Sequence, residues 1–519
     1  MAKYIPYSYE QGQLISVIFA KQILPGTFEF ALNQLIDKKI DLTCFDQKIV
    51  NDKTGAPAYD PRILLKIILF AYSRGIIHSR EIEACCRNNI IFMALSAHSR
   101  PHFTTIANFI ASMDKEIIPL FQKVLLVCDK AGLIGREMFA IDGCKLPSNA
   151  SKESSGTTDD FKKKARKIKT TIEKIVHRHK SMDCNDPIDI KVKNRELQQI
   201  ETLDAHLHKI EKWLENNEDR RGKSGNIVKS NITDNDSAKM KTSKGVIQGY
   251  NGLSIADSKD QIIVSAKAYG HSHEQATLKP MIDQTRENFM TTTDEVNIFS
   301  KTTLTADSGF HSEDNMEMLS IEEIDAYIAD PKMRSRDPRF DNADRFKNRS
   351  QKERKRKNPP KNKFKTEDFL FEKDLKFCTC PAGKNLKGSC NKVIIKNYEY
   401  TKFKGSKSIC GPCKLRSQCL QNHKKTTFRQ VSYPHGKSTM ANETFTDKMK
   451  QKIDTKLGRF IYSRRVAVAE PPFAQIRHIL GLNRFTLRGK KKVNIQWNLY
   501  CIIHNLRRWH NCTQQSMVT

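Results

Sequence analysis

The sequence predicts a mixed α/β core, preceded by an all-α domain and interrupted by a helical hairpin and by a small cysteine-rich segment. Three observations carry this. Short apolar, strand-like runs cluster between Met138 and Ala268 and then alternate with helical patterns up to Ile328, as in a sheet packed under helices. Apolar residues three and four apart dominate the stretch before Gly135, which is a helical period. Six of the 14 cysteines crowd between Cys378 and Cys419, a region with neither pattern.

In the helical region, Asp60-Pro61 reads as a helix start, with a carboxylate cap followed by proline at the first helical position. Leu64, Leu65, Ile68, Leu69 and Tyr72 follow at helical spacing, and Gly75 ends the run. Ser79 is expected to cap a short helix over Arg80–Arg87. Thr104 and Thr105 are expected to open a third that reaches Gly132, with a kink at Pro119. Helix, tight turn and short helix is a layout shared by helix-turn-helix readers of DNA and by ordinary helical domains.

Met138–Leu146 reads as a strand carrying one acid, Asp142. Phe161–Lys180 and Asp189–Glu215 read as an antiparallel helical arm turning around Asp183–Pro187. Strands are expected at Gly245–Ala256, Gln261–Ala268, Thr303–Asp307 and Ala326–Ile328, with helices at Gln275–Phe289 and Ser312–Glu323 between them. Arg334–Lys365 holds 14 Lys and Arg against 4 Asp and Glu, a net +10, and reads as a basic loop able to meet phosphates. The end is helical, with Ile495, Leu499, Ile502, Ile503 and Leu506 in one stripe. The expected organisation is a helical domain over 1–135, a catalytic domain over 136–333 plus 444–519 with the arm inserted at 158–217, and a basic, cysteine-rich insertion over 334–443.

The chain has 519 residues with 89 Lys and Arg against 58 Asp and Glu, a net charge of +31. Solubility alone asks for a net charge of roughly 2–8 in a small domain, so the excess points to a polyanion. The longest apolar runs, Leu14–Ala20 and Ile67–Tyr72, fall short of the ~18 residues that suggest a membrane helix. The start of the chain lacks a secretory layout, which makes a reducing cytoplasm the expected setting and clustered thiols metal ligands before disulfides.

Asp142 and Asp307 each stand at or near the end of a short apolar strand. A carboxylate there either caps a turn or answers a cation, and Mg²⁺ prefers such hard oxygen ligands. Glu470 is the one acid after Asp454, in a field of arginine. Arg464 or Arg465 could pair with it, or a metal could. Pro471 and Pro472 place Glu470 at an expected helix start or kink.

Together these segments resemble a bacterial insertion-sequence transposase of the DDE type. YDPRILLKIILFAYSRGIIHSREIEACCRNN with RPHFTTIANF resembles the helical N-terminal domain of that family, AIDGCKLPSNAS its first-aspartate strand, KGVIQGYNGLSIADSKDQIIVSAKAYG the next two strands, and LTADSGFHSEDNM its second-aspartate segment. Tyr462, Arg465, Glu470 and Arg477 resemble the family's Tyr–Arg–Glu–Lys signature, with Arg477 in the lysine place and the Arg-to-Glu spacing one residue longer than the commonest form. LRGKKK and HNLRRW fit its C-terminal end.

The resemblance implies an RNase H-like catalytic sheet. In it Asp142, Asp307 and Glu470 would bind two Mg²⁺ ions, with Mn²⁺ as a substitute. It implies cleavage at the element's ends and strand transfer into target DNA, with Tyr462, Arg465, Arg477 and Arg488 holding DNA. The implied partners are double-stranded DNA and a second copy of the chain in the complex, and the implied setting is the bacterial cytoplasm. A nuclease without strand transfer and a domesticated DNA-binding protein are the alternatives.

Cys410-Gly-Pro-Cys413 is a C-x-x-C knuckle, and Cys419 follows. With Cys380, or with Cys378 in its stead, four thiolates would close a structural Zn²⁺ site. Cys380-Pro381-Ala382-Gly383 is the form that resembles knuckles in related transposases.

Overall fold

The computed structural model describes residues 17–48, 57–180, 187–221, 225–243, 245–271, 273–293, 297–340, 363–372, 374–389, 392–395, 398–420, 422, 425–437 and 443–518. The chain forms two compact units, Met1–Asp330 with Thr455–Thr519, and Pro331–Asp454. The second unit thus runs wider than the 334–443 expected for the insertion.

The first unit opens with six helices: α1 Phe28–Lys38, α2 Pro61–Ser73, α3 Ser79–Asn88, α4 Ile90–Leu95, α5 Phe103–Ser112 and α6 Ile117–Lys130. Asp60 caps α2 through an Arg62 N–H bond of 2.7 Å. His78, not Ser79, occupies the cap position of α3. The long helix expected from Thr104 to Gly132 is divided between Ser112 and Ile117. The division moves Pro119 into the first turn of α6, where its missing N–H leaves no carbonyl without its helical donor.

The sheet of this unit is built from β1 Met138–Pro147, β2 Ala238–Thr242, β3 Gly245–Asp257, β4 Ile263–Tyr269, β5 Thr303–Ala306 and β6 Ala326–Ile328. Its order is β6-β5-β1-β3-β2, with β4 also on β3. β1 runs antiparallel to β3 and parallel to β5, and β6 is parallel to β5. All five expected strands are present within a residue or two. β2 was not expected: its Ala238-Lys239-Met240-Lys241 alternation is short and charged, and Lys239 and Lys241 point outward as on a protected edge.

The arm forms as α7 Thr158–His179 and α8 Pro187–Asn216, with residues 181–186, where its turn was expected, outside the described residues. Phe161, Ala165 and Ile168 of α7 pack on Leu207, Ile210 and Trp213 of α8, and the Phe161 and Trp213 rings meet edge to face at 4.6 Å. α9 Leu278–Thr293 and α10 Glu313–Ile321 take the places expected between the strands.

In the second unit, β7 Leu370–Phe371, β8 Phe377–Thr379, β9 Asn385–Gly388, β10 Val393–Ile395, β11 Tyr398–Lys404 and β12 Gln430–Lys437 form an antiparallel sheet over Phe369, Cys378, Leu386, Phe403 and Val431. α11 Phe445–Asp454 belongs to it. Most of the basic stretch, 341–362, lies outside the described residues.

The chain returns to the first unit with α12 Lys456–Ala474 and α13 Lys490–Val518. Glu470 does not start a helix: α12 runs on through Pro471 and Pro472. Pro471 cannot donate to the Ala467 carbonyl, and the Gln261 side chain does so in its place at 3.2 Å. A π-turn, Gln475–Ile479, follows. Val468 and Ala469 press α12 onto Met138, Ala140 and Ala256 of the sheet. α13 is buried over most of its first half, and it bonds directly to the sheet. Trp497 donates to the Leu253 carbonyl at 2.9 Å. Asn505 accepts from Ile263 N and donates to Ile263 O, both at 2.8 Å.

Candidate active site

β1 and β5 are parallel, with Ile141 opposite Ala306. One residue on, Asp142 and Asp307 stand side by side where the two strands end their pairing. Neighbouring strands are about 4.8 Å apart, so the sheet itself sets two carboxylates close together. Asp307 caps the turn that follows, its Oδ1 accepting from Gly309 N at 2.7 Å. Burial raises its pKa above the usual carboxylate range, the Gly309 hydrogen bond opposes this, and the Asp142 charge adds to the rise. Asp142 is held by Gly143 N at 2.7 Å on Oδ1 and by Arg465 Nη1 at 2.8 Å on Oδ2. Asp142 therefore carries its own counter-charge. Two adjacent hard carboxylates fit a hard divalent cation.

Arg465 reaches Asp142 from α12, and its guanidinium lies 5.9 Å from the Tyr462 ring centre. These two signature residues and Asp142 are brought together. Arg477 sits on the π-turn, half-buried, where its positive charge acts on the Cys144 thiol two residues beyond Asp142. Arg488 is exposed and donates Nε to the Asn149 carbonyl at 2.7 Å, lining an open polar groove with Arg484, Ser151 and Lys152.

Glu470 is exposed on α12. Five residues from Arg465 is about 140° around a helix, so it does not share the face that meets Asp142. A different acid adjoins the aspartates. Glu274, in the connection between β4 and α9, is half-buried, with its pKa raised by burial and then by the charges of Asp307 and Asp142. No strand-end position or spacing marks Glu274 in the sequence; the only signal is an acid in the turn after a strand.

The four thiols of Cys380, Cys410, Cys413 and Cys419 line one cavity in the second unit. Cys378 instead points into the β core, and burial pushes its thiol up to about 11. Among the described residues no group of three or more Cys, His, Asp or Glu side chains is placed to hold a metal ion. The Zn²⁺ expectation is therefore without support here, and the thiols are free cysteines.

Two family models match the chain. A transposase DDE domain matches residues 379–510, and a transposase domain of the DUF772 description matches residues 18–112. No curated protein matches it. A catalytic family over the C-terminal part and a transposase family over the N-terminal helices define the class: an enzyme acting on DNA with the aid of a divalent metal. The chain is an insertion-sequence transposase of the DDE type. The DDE match covers Glu470 and begins after both aspartates. Among the described residues no helix is long and apolar enough to cross a membrane.

Proposed function

We propose that the chain cuts DNA at the ends of its element and joins the freed 3′-OH to target DNA, with Asp142 and Asp307 as the centre of the site. The observation that carries this is their side-by-side placement on parallel strands, with Arg465 on Asp142. The strand order supports an RNase H-like sheet: an antiparallel run β1-β3-β4, then β5 and β6 added parallel on the other side of β1, with helices between them.

Asp142 and Asp307 would hold Mg²⁺ or Mn²⁺, which supplies Lewis-acid activation of the attacking and leaving oxygens. Glu470 is proposed as the third acid on the family signature alone, since it stands exposed on a face of α12 turned from Asp142. Arg465 holds the Asp142 carboxylate in place through its Nη1 hydrogen bond. Tyr462, Arg465 and Arg477 line the approach to Asp142, where guanidinium groups suit phosphate oxygens. Arg488 and Arg484 would take DNA farther out, along the groove beside Asn149. Bringing two element ends together needs two copies of the chain in the DNA complex.

The test is an oligonucleotide assay with element-end duplexes. Asp142→Asn and Asp307→Asn should each abolish cleavage and joining while leaving DNA affinity intact. Metal-dependent cleavage by Asp142→Asn would overturn the assignment. Cutting by the parent without joining would make the chain a nuclease.

A further inference from the structure

Glu274 belongs to no role so far described, yet the fold is arranged around it. Its Oε1 accepts from Asn251 Nδ2 at 3.0 Å. Asn251 is 1% exposed, and its own Oδ1 is buried with no hydrogen-bond partner among the described residues. A buried, unanswered amide oxygen is costly unless a donor arrives. The other carboxylate oxygen of Glu274 faces Gly309. A Cβ at position 309 would lie 2.1 Å from Glu274 Oε2 and 2.9 Å from Asp307 Oδ1. Those two oxygens are therefore at most 2.1 plus 2.9, or 5.0, Å apart. Glycine at 309 is what lets the carboxyl groups come this close. Gly143 does the same for Asn251: a Cβ there would meet Asn251 Oδ1 at 2.9 Å.

Three carboxyl groups and a lone amide oxygen thus surround the middle of β1, where its pairing with β5 ends, with Arg465 and Lys145 as the positive charges that act on Asp307 there. The three acids are not placed to ligate one ion directly. A hydrated divalent cation meets this arrangement: it takes one or two carboxylates and presents its remaining waters as donors. Glu274 Oε2, beside Asp307 Oδ1, is an acceptor for such a water.

We propose that Glu274, oriented by Asn251, is a positioning residue for the divalent cation, accepting hydrogen bonds from its water shell and adding negative charge behind Asp142 and Asp307. This rests on the two-aspartate reading above. Outer-shell partners of this kind typically contribute 10–100-fold to metal affinity.

The test measures Mn²⁺ binding to the full chain without DNA, by electron paramagnetic resonance of free Mn²⁺. Glu274→Gln, which keeps the Asn251 hydrogen bond and removes the charge, should weaken binding about 10–100-fold. Glu274→Asp should retain more affinity than Glu274→Gln, and Gly309→Ala should weaken binding by displacing the carboxyl group. Glu317→Gln, an exposed control, should leave it unchanged. Unaltered thermal melting checks each fold. Parent binding that depends on Asp142 but stays within two-fold in Glu274→Gln overturns this inference alone. A parent that binds no Mn²⁺, or binds it undiminished with Asp142→Asn, overturns the two-aspartate reading and this inference with it.

Discussion

His504 offers a direct test of how the C-terminal helix holds the sheet. It is 1% exposed on α13 and hydrogen-bonds through Nε2 to the Gln261 carbonyl at 2.8 Å. Its Nδ1 is buried with no partner among the described residues, so a second proton would find no acceptor among them. Burial, helped by the charges of Arg508 and Arg507, lowers its pKa from 6.5 to about 4, against the opposing Gln261 hydrogen bond. The unfolded state binds the proton first. Stability from this group is therefore fully present above pH 6.5 and is lost as pH falls toward 4. At 1.36 kcal/mol per pH unit, the loss is about 2 kcal/mol by pH 5 and about 3 kcal/mol near pH 4. His504→Gln keeps a donor for Gln261 and cannot take the proton. Urea unfolding followed by tryptophan fluorescence, at pH 7.5, 6 and 5, should show the parent losing about 2 kcal/mol relative to the variant between pH 7.5 and 5. Titrations of Asp257, Asp307 and other groups occur in both proteins and cancel in the difference. A difference that stays constant with pH would refute the account.

Asn505→Ala should destabilise the first unit by about 2–6 kcal/mol in the same unfolding assay, because it strips both the donor and the acceptor from the buried Ile263 backbone. Gln261→Ala should increase hydrogen exchange at the amides of α12 around Ala467, since it removes the side chain that serves the carbonyl left bare by Pro471; unchanged exchange would discard that role. DNA affinity should fall linearly on a log–log plot against salt, and Arg488→Ala should reduce the slope by about 0.9 if Arg488 meets one phosphate. A slope equal to the parent's removes Arg488 from the DNA contacts.

Helix and strand positions were legible where local pattern and tertiary need agree. Asp60-Pro61, the short apolar run at Met138 and the apolar stripe through Ile502 each specify their element through nearest neighbours in the chain. Legibility failed where a distant residue altered the local rule. Pro471 and Pro472 read as a helix break, yet Gln261, 206 positions earlier, supplies the missing donor and lets the helix continue. The Thr104 helix was read as one because periodicity does not register that a break moves Pro119 into a first turn. The strands of the second unit passed unnoticed because they are short and rich in lysine, with a core of few residues.

The candidate site divides in the same way. A carboxylate closing a short apolar run singles out Asp142 and Asp307 in the sequence, though only Asp307 follows the end of its strand, while Asp142 lies in the middle of β1, which runs on to Pro147. The +31 charge and the order of the motifs indicate a DNA enzyme without any coordinates. Only the tertiary structure decides that β1 and β5 are parallel neighbours, and so that the two acids adjoin. It alone sets Arg465 on Asp142 across 323 residues of sequence, and brings Glu274 within reach of Asp307 past a glycine. The physical reason is range: backbone preference and periodicity act over a few residues, whereas charge and hydrogen bonding act between whatever groups the packed sheet brings together.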